Sequence, residues 1–276
     1  MELSIITINY NNLDGLRKTY DSVMSQTFRD FEWIVIDGGS TDGSREFIEG
    51  HKEDFTFWCS EPDNGVYHAM NKGIRKATGE YLNFMNSGDT YFDSGSLAIV
   101  FSTERTSDIL YGAMLLPDGT LDHEPMMKTE LHWFDFYDNT LPHQASFIKR
   151  MLFDKVGFYD ETYRISADWL FFAKAFVGYG ASVEFVPSVL ARFEGGGCSS
   201  DSKIAEVENA RFKQEVFGNY LLANHDRTMY FDVIHQYRIL AVLHTLLFRI
   251  ATFVYGLTHK TPAIEGYSVT KKKVNC

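Results

Sequence analysis

Four short segments rich in Asp, Asn and Gly stand in the first ninety residues, each directly after an apolar run: Tyr10-Asn11-Asn12, Asp37-Gly38-Gly39-Ser40-Thr41-Asp42-Gly43, Glu61-Pro62-Asp63-Asn64-Gly65 and Asn86-Ser87-Gly88-Asp89. If the apolar runs are parallel strands, these groups gather along one edge of one sheet. That edge is where open α/β sheets bind ligands, because loops leaving the carboxyl ends of the strands line a crevice there. The opening third therefore reads as a binding site.

The elements needed to hold it are legible. Residues 3–10, 31–36, 55–59 and 81–85 are β-rich apolar runs, and residues 13–25, 44–48 and 66–77 carry helical spacing or follow a turn between them. Alternation with short connections predicts a doubly wound α/β sheet with helices on both faces. After Asp89 the pattern loosens into a short helix at 96–101, a strand at 108–112, a hairpin around Pro117-Asp118-Gly119, a returning strand at 144–149, a helix at 167–177 and a strand at 182–186. These complete the same sheet, giving one domain over residues 1–220.

Composition bounds the function. The 276-residue chain is 45% hydrophobic and 15% aromatic, enough for a substantial core. Cys59, Cys198 and Cys276 are too few and scattered for a disulfide framework or a zinc site, so a reducing compartment is expected. The amino terminus enters a strand-like run at once, and no signal peptide is expected. Net charge is −11, but from Arg227 onward seven Lys/Arg face two acids, so that segment carries +5 and the rest −16. The acidic body argues against nucleic-acid binding.

Residues 221–276 read as a helical, basic extension. Within 226–257, with Asp226 as N-cap, Arg238, Thr245, Arg249 and Thr252 share one narrow sector of a helix that is otherwise mostly apolar. Such a helix suits a membrane interface, helped by Lys271-Lys272-Lys273, or equally a face packed on the body or in a homodimer.

The four segments in series, with Ile34-Val-Ile-Asp-Gly-Gly-Ser-Thr-Asp-Gly-Ser44, Asp63-Asn-Gly-Val-Tyr-His-Ala-Met-Asn-Lys-Gly73 and Ala77-Thr-Gly-Glu-Tyr-Leu-Asn-Phe-Met-Asn-Ser-Gly-Asp89, resemble the family 2 glycosyltransferases of GT-A fold, of the bacterial surface-polysaccharide type. The resemblance covers residues 3–90 and, less fully, 140–200. It implies a mixed, mainly parallel central sheet and a nucleotide-diphosphate sugar donor, UDP-linked, with Asp37 on the base, Thr7 and Asn9 on the nucleoside, Asp63 and Asn71 near ribose and diphosphate, and Asn86 on the donor. Asp42 is as readily a turn residue. Asn86-Ser87-Gly88-Asp89 takes the place of the Asp-x-Asp metal motif, which makes Asp89 the ligand of a divalent cation, Mn2+ or Mg2+. Asp168, in Ile165-Ser-Ala-Asp-Trp-Leu, takes the place of the catalytic base, and His143 lies on the acceptor side. Residues 195–200 would form a mobile loop over the donor.

The sequence departs from the family at Met70, where many members have arginine, and at His68, where relatives often have an acid. The implied activity is inverting transfer to a saccharide or lipid-linked saccharide by a cytoplasmic enzyme, peripheral at the cytoplasmic face of the membrane. A catalytically inactive nucleotide-sugar-binding partner is the alternative that Asn86 and Met70 favour. A nucleotidyltransferase would need a Gly-rich, basic phosphate loop after the first strand, where Tyr10-Asn11-Asn12-Leu13 stands instead.

Overall fold

The computed structural model describes residues 1–195 and 202–218. They lie in one compact unit, Met1–Tyr220; the expected extension and the greater part of the glycine-rich loop lie outside them.

Strands β1 (Leu3–Asn9), β2 (Phe31–Asp37), β3 (Phe57–Ser60), β4 (Tyr81–Phe84), β5 (Thr90–Tyr91), β6 (Ile109–Leu115), β7 (Ser146–Lys149) and β8 (Val183–Arg192) form one sheet in the order β3-β2-β1-β4-β7-β6-β8-β5. The first four in that order pair in parallel, and β6 pairs in parallel with β8. Only β7, between β4 and β6, and β5, at the edge beside β8, run the other way. The sheet is the mixed, mainly parallel one expected.

Helices α1 (Leu13–Met24), α2 (Ser44–Gly50), α3 (Val66–Lys76), α4 (Ser96–Val100), α5 (Asp135–Asp138), α6 (Arg150–Val156), α7 (Ala167–Ala173) and α8 (Ser202–Lys213) cover both faces. Alternation along β1 and β2 sorts the core: Leu3, Ile5, Trp33 and Val35 pack with α1, α2 and α4, while Ile6, Ile8, Ile34 and Ile36 pack with α3, α6, α7 and α8. A strand buried on both faces reads as a continuous apolar run, as these do.

Register sets the crevice edge. Asn9 lies beside Asp37, and Asp37 beside Ser60, so the ends of β1, β2 and β3 are level. The entry to β4 is fixed by Glu32, 3% exposed, whose Oε1 accepts from Ser4 Oγ at 2.6 Å, Thr78 N at 2.5 Å and Gly79 N at 3.1 Å. A Cβ on Gly79 would stand 2.6 Å from Ser4 N, which explains the glycine in Ala77-Thr-Gly-Glu80.

Some elements differ from expectation. A 3-10 turn at Lys52–Asp54 delays β3 to Phe57, α7 widens into a π turn at Lys174–Gly178, and β8 runs on to Arg192 through register shifts against β6. The hairpin near Pro117 is present, with Leu116 N donating to Thr120 O at 2.8 Å. Sequence periodicity missed α6, which is only seven residues long.

Candidate active site at the strand ends

Two clusters line the carboxyl edge. The first is built on Asp37, fully buried at the end of β2. Its carboxylate accepts from Asn9 Nδ2 at 2.7 Å, Ser40 Oγ at 2.5 Å, Ser60 Oγ at 2.6 Å, and the Ser40 and Gly39 amides at 2.9 and 3.2 Å. Burial pushes its pKa up, but the bonds from Ser40, Ser60 and Asn9 outweigh that and hold it below the usual carboxylate range. Both oxygens are occupied, so a donor base would meet Asp37 only after one hydroxyl turned away. Beside it, a Cβ on Gly38 would lie 2.7 Å from Asp63 Oδ2 and 3.1 Å from the ring of Tyr10, which is 67% exposed. Tyr10, Gly38 and Asp63 thus form an open ledge with an aromatic face and a carboxylate.

The second cluster joins three chain segments. His143 Nδ1 lies 3.1 Å from Asp168 Oδ2, and its Nε2 lies 3.2 Å from Asn86 Nδ2. Asp168, one residue inside α7, also meets the Tyr67 hydroxyl at 2.9 Å through Oδ1. Burial acts to raise the Asp168 pKa, but the His143 bond and charge and the Tyr67 bond hold it below the ordinary value. Burial likewise acts to lower His143, and the Asp168 carboxylate overrides it upward. The result is an ionised carboxylate gripped on both oxygens, with 14% of its side chain exposed.

Asp89 joins this series through its backbone amide, which donates to the Asn86 carbonyl at 3.0 Å. It is 6% exposed and receives Gln144 Nε2 at 3.0 Å and the Glu194 amide at 3.3 Å. Burial dominates, and its pKa is pushed up to about 6. Glu194 in turn pairs with Lys18 and reaches over Gly88. Asn86 Oδ1, Ser87 Oγ and Asn9 Oδ1 are buried without hydrogen-bond partners. An unpaired carbonyl oxygen and a carboxylate short of compensation are the hard-oxygen chemistry that suits a divalent cation, so Asn86 and Asp89 fit one. Among the described residues no set of three His, Cys, Asp or Glu side chains converges as a ready metal site.

Two expected residues do not reach the crevice with their side chains. Thr7 falls on the inner alternation of β1, fully buried, and its hydroxyl accepts from Trp33 Nε1 at 3.0 Å. Asn71, 1% exposed, is consumed by the 159–161 loop: Nδ2 donates to Tyr159 O and Glu161 Oε1, both at 2.9 Å, and Oδ1 accepts from Tyr159 N at 3.1 Å. It staples α3 to the segment that precedes the base. Asp42 accepts from Leu13 N and Ser44 N, a turn role. Met70 is buried in the core and supplies no charge to a phosphate, and His68 Nδ1 accepts from Asn64 N.

Sequence reasoning gave no role to Tyr67 or Gln144, and placed Tyr10 only within a crevice segment. Gln144 had a signal, adjacency to His143; Tyr67 had none, since its contact with Asp168 spans 101 positions.

The profile of Glycosyl transferase family 2 matches residues 4–177, and the chain belongs to that family. An uncharacterized glycosyltransferase of Mycobacterium tuberculosis is 38% identical over 180 residues, covering 63% of this chain and 68% of that protein. A PGL/p-HBAD biosynthesis glycosyltransferase of Mycobacterium bovis is 32% identical over 211 residues, covering 71% and 78%. Among solved structures, Staphylococcus aureus TarS 1-349 in complex with UDP-GlcNAc aligns with a TM-score of 0.63 at 21% identity, over 78% of this chain and 67% of that one. The mannosyltransferase PcManGT from Pyrobaculum calidifontis in complex with GDP-Man and Mn2+ gives 0.56 at 17%, over 80% and 64%. TarS 1-349 without a named ligand is spanned over only 60% of its chain. The fold is therefore GT-A.

Proposed function

We propose that this chain is an inverting, metal-dependent glycosyltransferase moving a sugar from a UDP-linked donor to a hydroxyl of a saccharide or lipid-linked saccharide in surface polysaccharide or glycolipid assembly. The observation that carries this reading is the contact series Asn86, His143, Asp168. It ties the strand-end segment, with its unpaired oxygens, to a fixed ionised carboxylate on another element. The named roles of the mycobacterial PGL relative and the nucleotide-sugar complexes of the structural neighbours support a nucleotide-sugar donor. The basic, apolar sequence beyond residue 226 supports a place at the cytoplasmic face of a membrane.

Inversion needs a base facing the side of the anomeric carbon opposite the leaving group. The acceptor oxygen bonds to that carbon while the carbon–oxygen bond to the diphosphate breaks. The nucleoside diphosphate departs with the electron pair, and the acceptor proton ends on Asp168. His143 and Tyr67 orient the carboxylate, and the Tyr10 face with Asp63 offers stacking and a hydroxyl acceptor to the nucleoside. A divalent cation held by Asp89 and Asn86 would offset charge developing on the departing diphosphate.

Release of UDP or GDP from a panel of nucleotide sugars, with Mn2+ and with water or lipid-linked saccharide as acceptor, tests the reading. Asp168→Asn should lower turnover by about 10²- to 10⁴-fold while leaving the Kd for UDP unchanged. Near-normal turnover would move the base to Asp160 or Glu161. Nucleotide binding without turnover across the panel would identify an inactive nucleotide-sugar-binding partner.

A further inference from the structure

Glu208, in the middle of α8, is 8% exposed and makes no ion pair among the described residues. Its carboxylate instead accepts three consecutive main-chain amides: Arg164 N at 2.6 Å on Oε1, and Ile165 N and Ser166 N at 2.9 and 3.0 Å on Oε2. Neighbouring residues of α8 hold the same loop. Asn209 Oδ1 accepts from Ser166 Oγ at 2.8 Å, and Arg211 donates to Thr162 Oγ1 at 2.9 Å. A buried carboxylate balanced only by amides is expensive to leave unpaired, so the loop is held firmly to it.

The loop so held is the approach to Asp168. The Ile165–Ser166 peptide is planar, with its N–H on Glu208 and its carbonyl on the opposite side bonded to the Tyr67 hydroxyl. That same hydroxyl lies 2.9 Å from Asp168 Oδ1. A phenol has one proton. Shared between the Ile165 carbonyl and Asp168 Oδ1, it ties the carboxylate to the peptide, and the second lone pair of Oδ1 stays open to receive a proton.

We propose that Glu208 is a positioning residue for the base: by fixing the Ile165–Ser166 peptide it fixes the Tyr67 hydroxyl, and through that hydroxyl the orientation of the Asp168 carboxylate toward the acceptor hydroxyl. This rests on Asp168 being the base. Glu208→Gln replaces one amide-accepting oxygen with a donor. In the full chain, assayed with Mn2+ and the donor panel well below Tm, kcat should fall about 10- to 100-fold, the Kd for UDP should stay within about twofold, and Glu208→Gln/Asp168→Asn should be no slower than Asp168→Asn alone. Glu208→Asp keeps the charge but shortens its reach, and should show the same split with a smaller loss of kcat, which decides the matter if the glutamine variant does not fold. A fall in Tm with kcat intact, a parallel loss of UDP affinity, or additive losses in the double variant would overturn the positioning role while leaving the base in place. Near-normal turnover in Asp168→Asn would overturn both.

Discussion

Asp37 and Asp89 are both buried aspartates at the carboxyl edge of one sheet, yet their surroundings are opposite. Five neutral donors converge on Asp37 and hold it ionised below the ordinary range, whereas Asp89 has a side-chain amide and one long main-chain contact and is pushed up to about 6. A carboxylate satisfied by its own loop stabilises that loop. One left under-compensated costs stability until a cation or ligand arrives, the usual trade at a binding site.

The largest effect should follow from breaking the satisfied member. Asp37→Ala strands two hydroxyls, an amide side chain and two main-chain amides, and should cost about 3–5 kcal/mol, seen as a Tm drop on the order of 10 °C by calorimetry. A drop of only about 2 °C would show that the loop holds without its charge.

Asp89→Asn should act the other way. Removing a charge that burial penalises should raise stability at neutral pH by about 1–2 kcal/mol, while calorimetric titration shows Mn2+-dependent UDP binding lost. A lower Tm, or retained metal-dependent binding, would undo the contrast.

The smallest effect sharpens it through pH. The folded pKa of Asp89, about 6, exceeds its ordinary 3.8, so its penalty is absent below the lower value and complete above the higher. The Tm advantage of Asp89→Asn should therefore grow between those limits as pH rises. Asp37 is lowered, so the stability it confers is present above its ordinary 3.8 and lost only as pH falls through its folded value. Mn2+ affinity should weaken by about tenfold per unit below pH 6, as protons compete for Asp89. Parallel pH curves for the two aspartate variants would refute the assignment.

Much of this was legible in the chain. Apolar runs punctuated by Asn and Asp located β1, β2 and β4 and the crevice, because alternation of strand and turn is local chemistry. What the individual polar groups do there was less so. Thr7 and Asn71 belong to motifs as surely as Asn9 does, but strand alternation turns the Thr7 hydroxyl onto Trp33, and helix phase turns the Asn71 amide into the Tyr159 backbone.

The order of elements and the acidic edge came from residue types and spacing, and the nominations of Asp89, His143 and Asp168 from the family resemblance of the motifs. The tertiary structure decided which carboxylate is satisfied and which is left wanting, and it brought Tyr67, His143 and Glu208 to Asp168. The partners that complete these bonds stand 23 positions apart for Asp37 and Ser60 and 101 for Asp168 and Tyr67, brought together by the sheet and the helices packed on it.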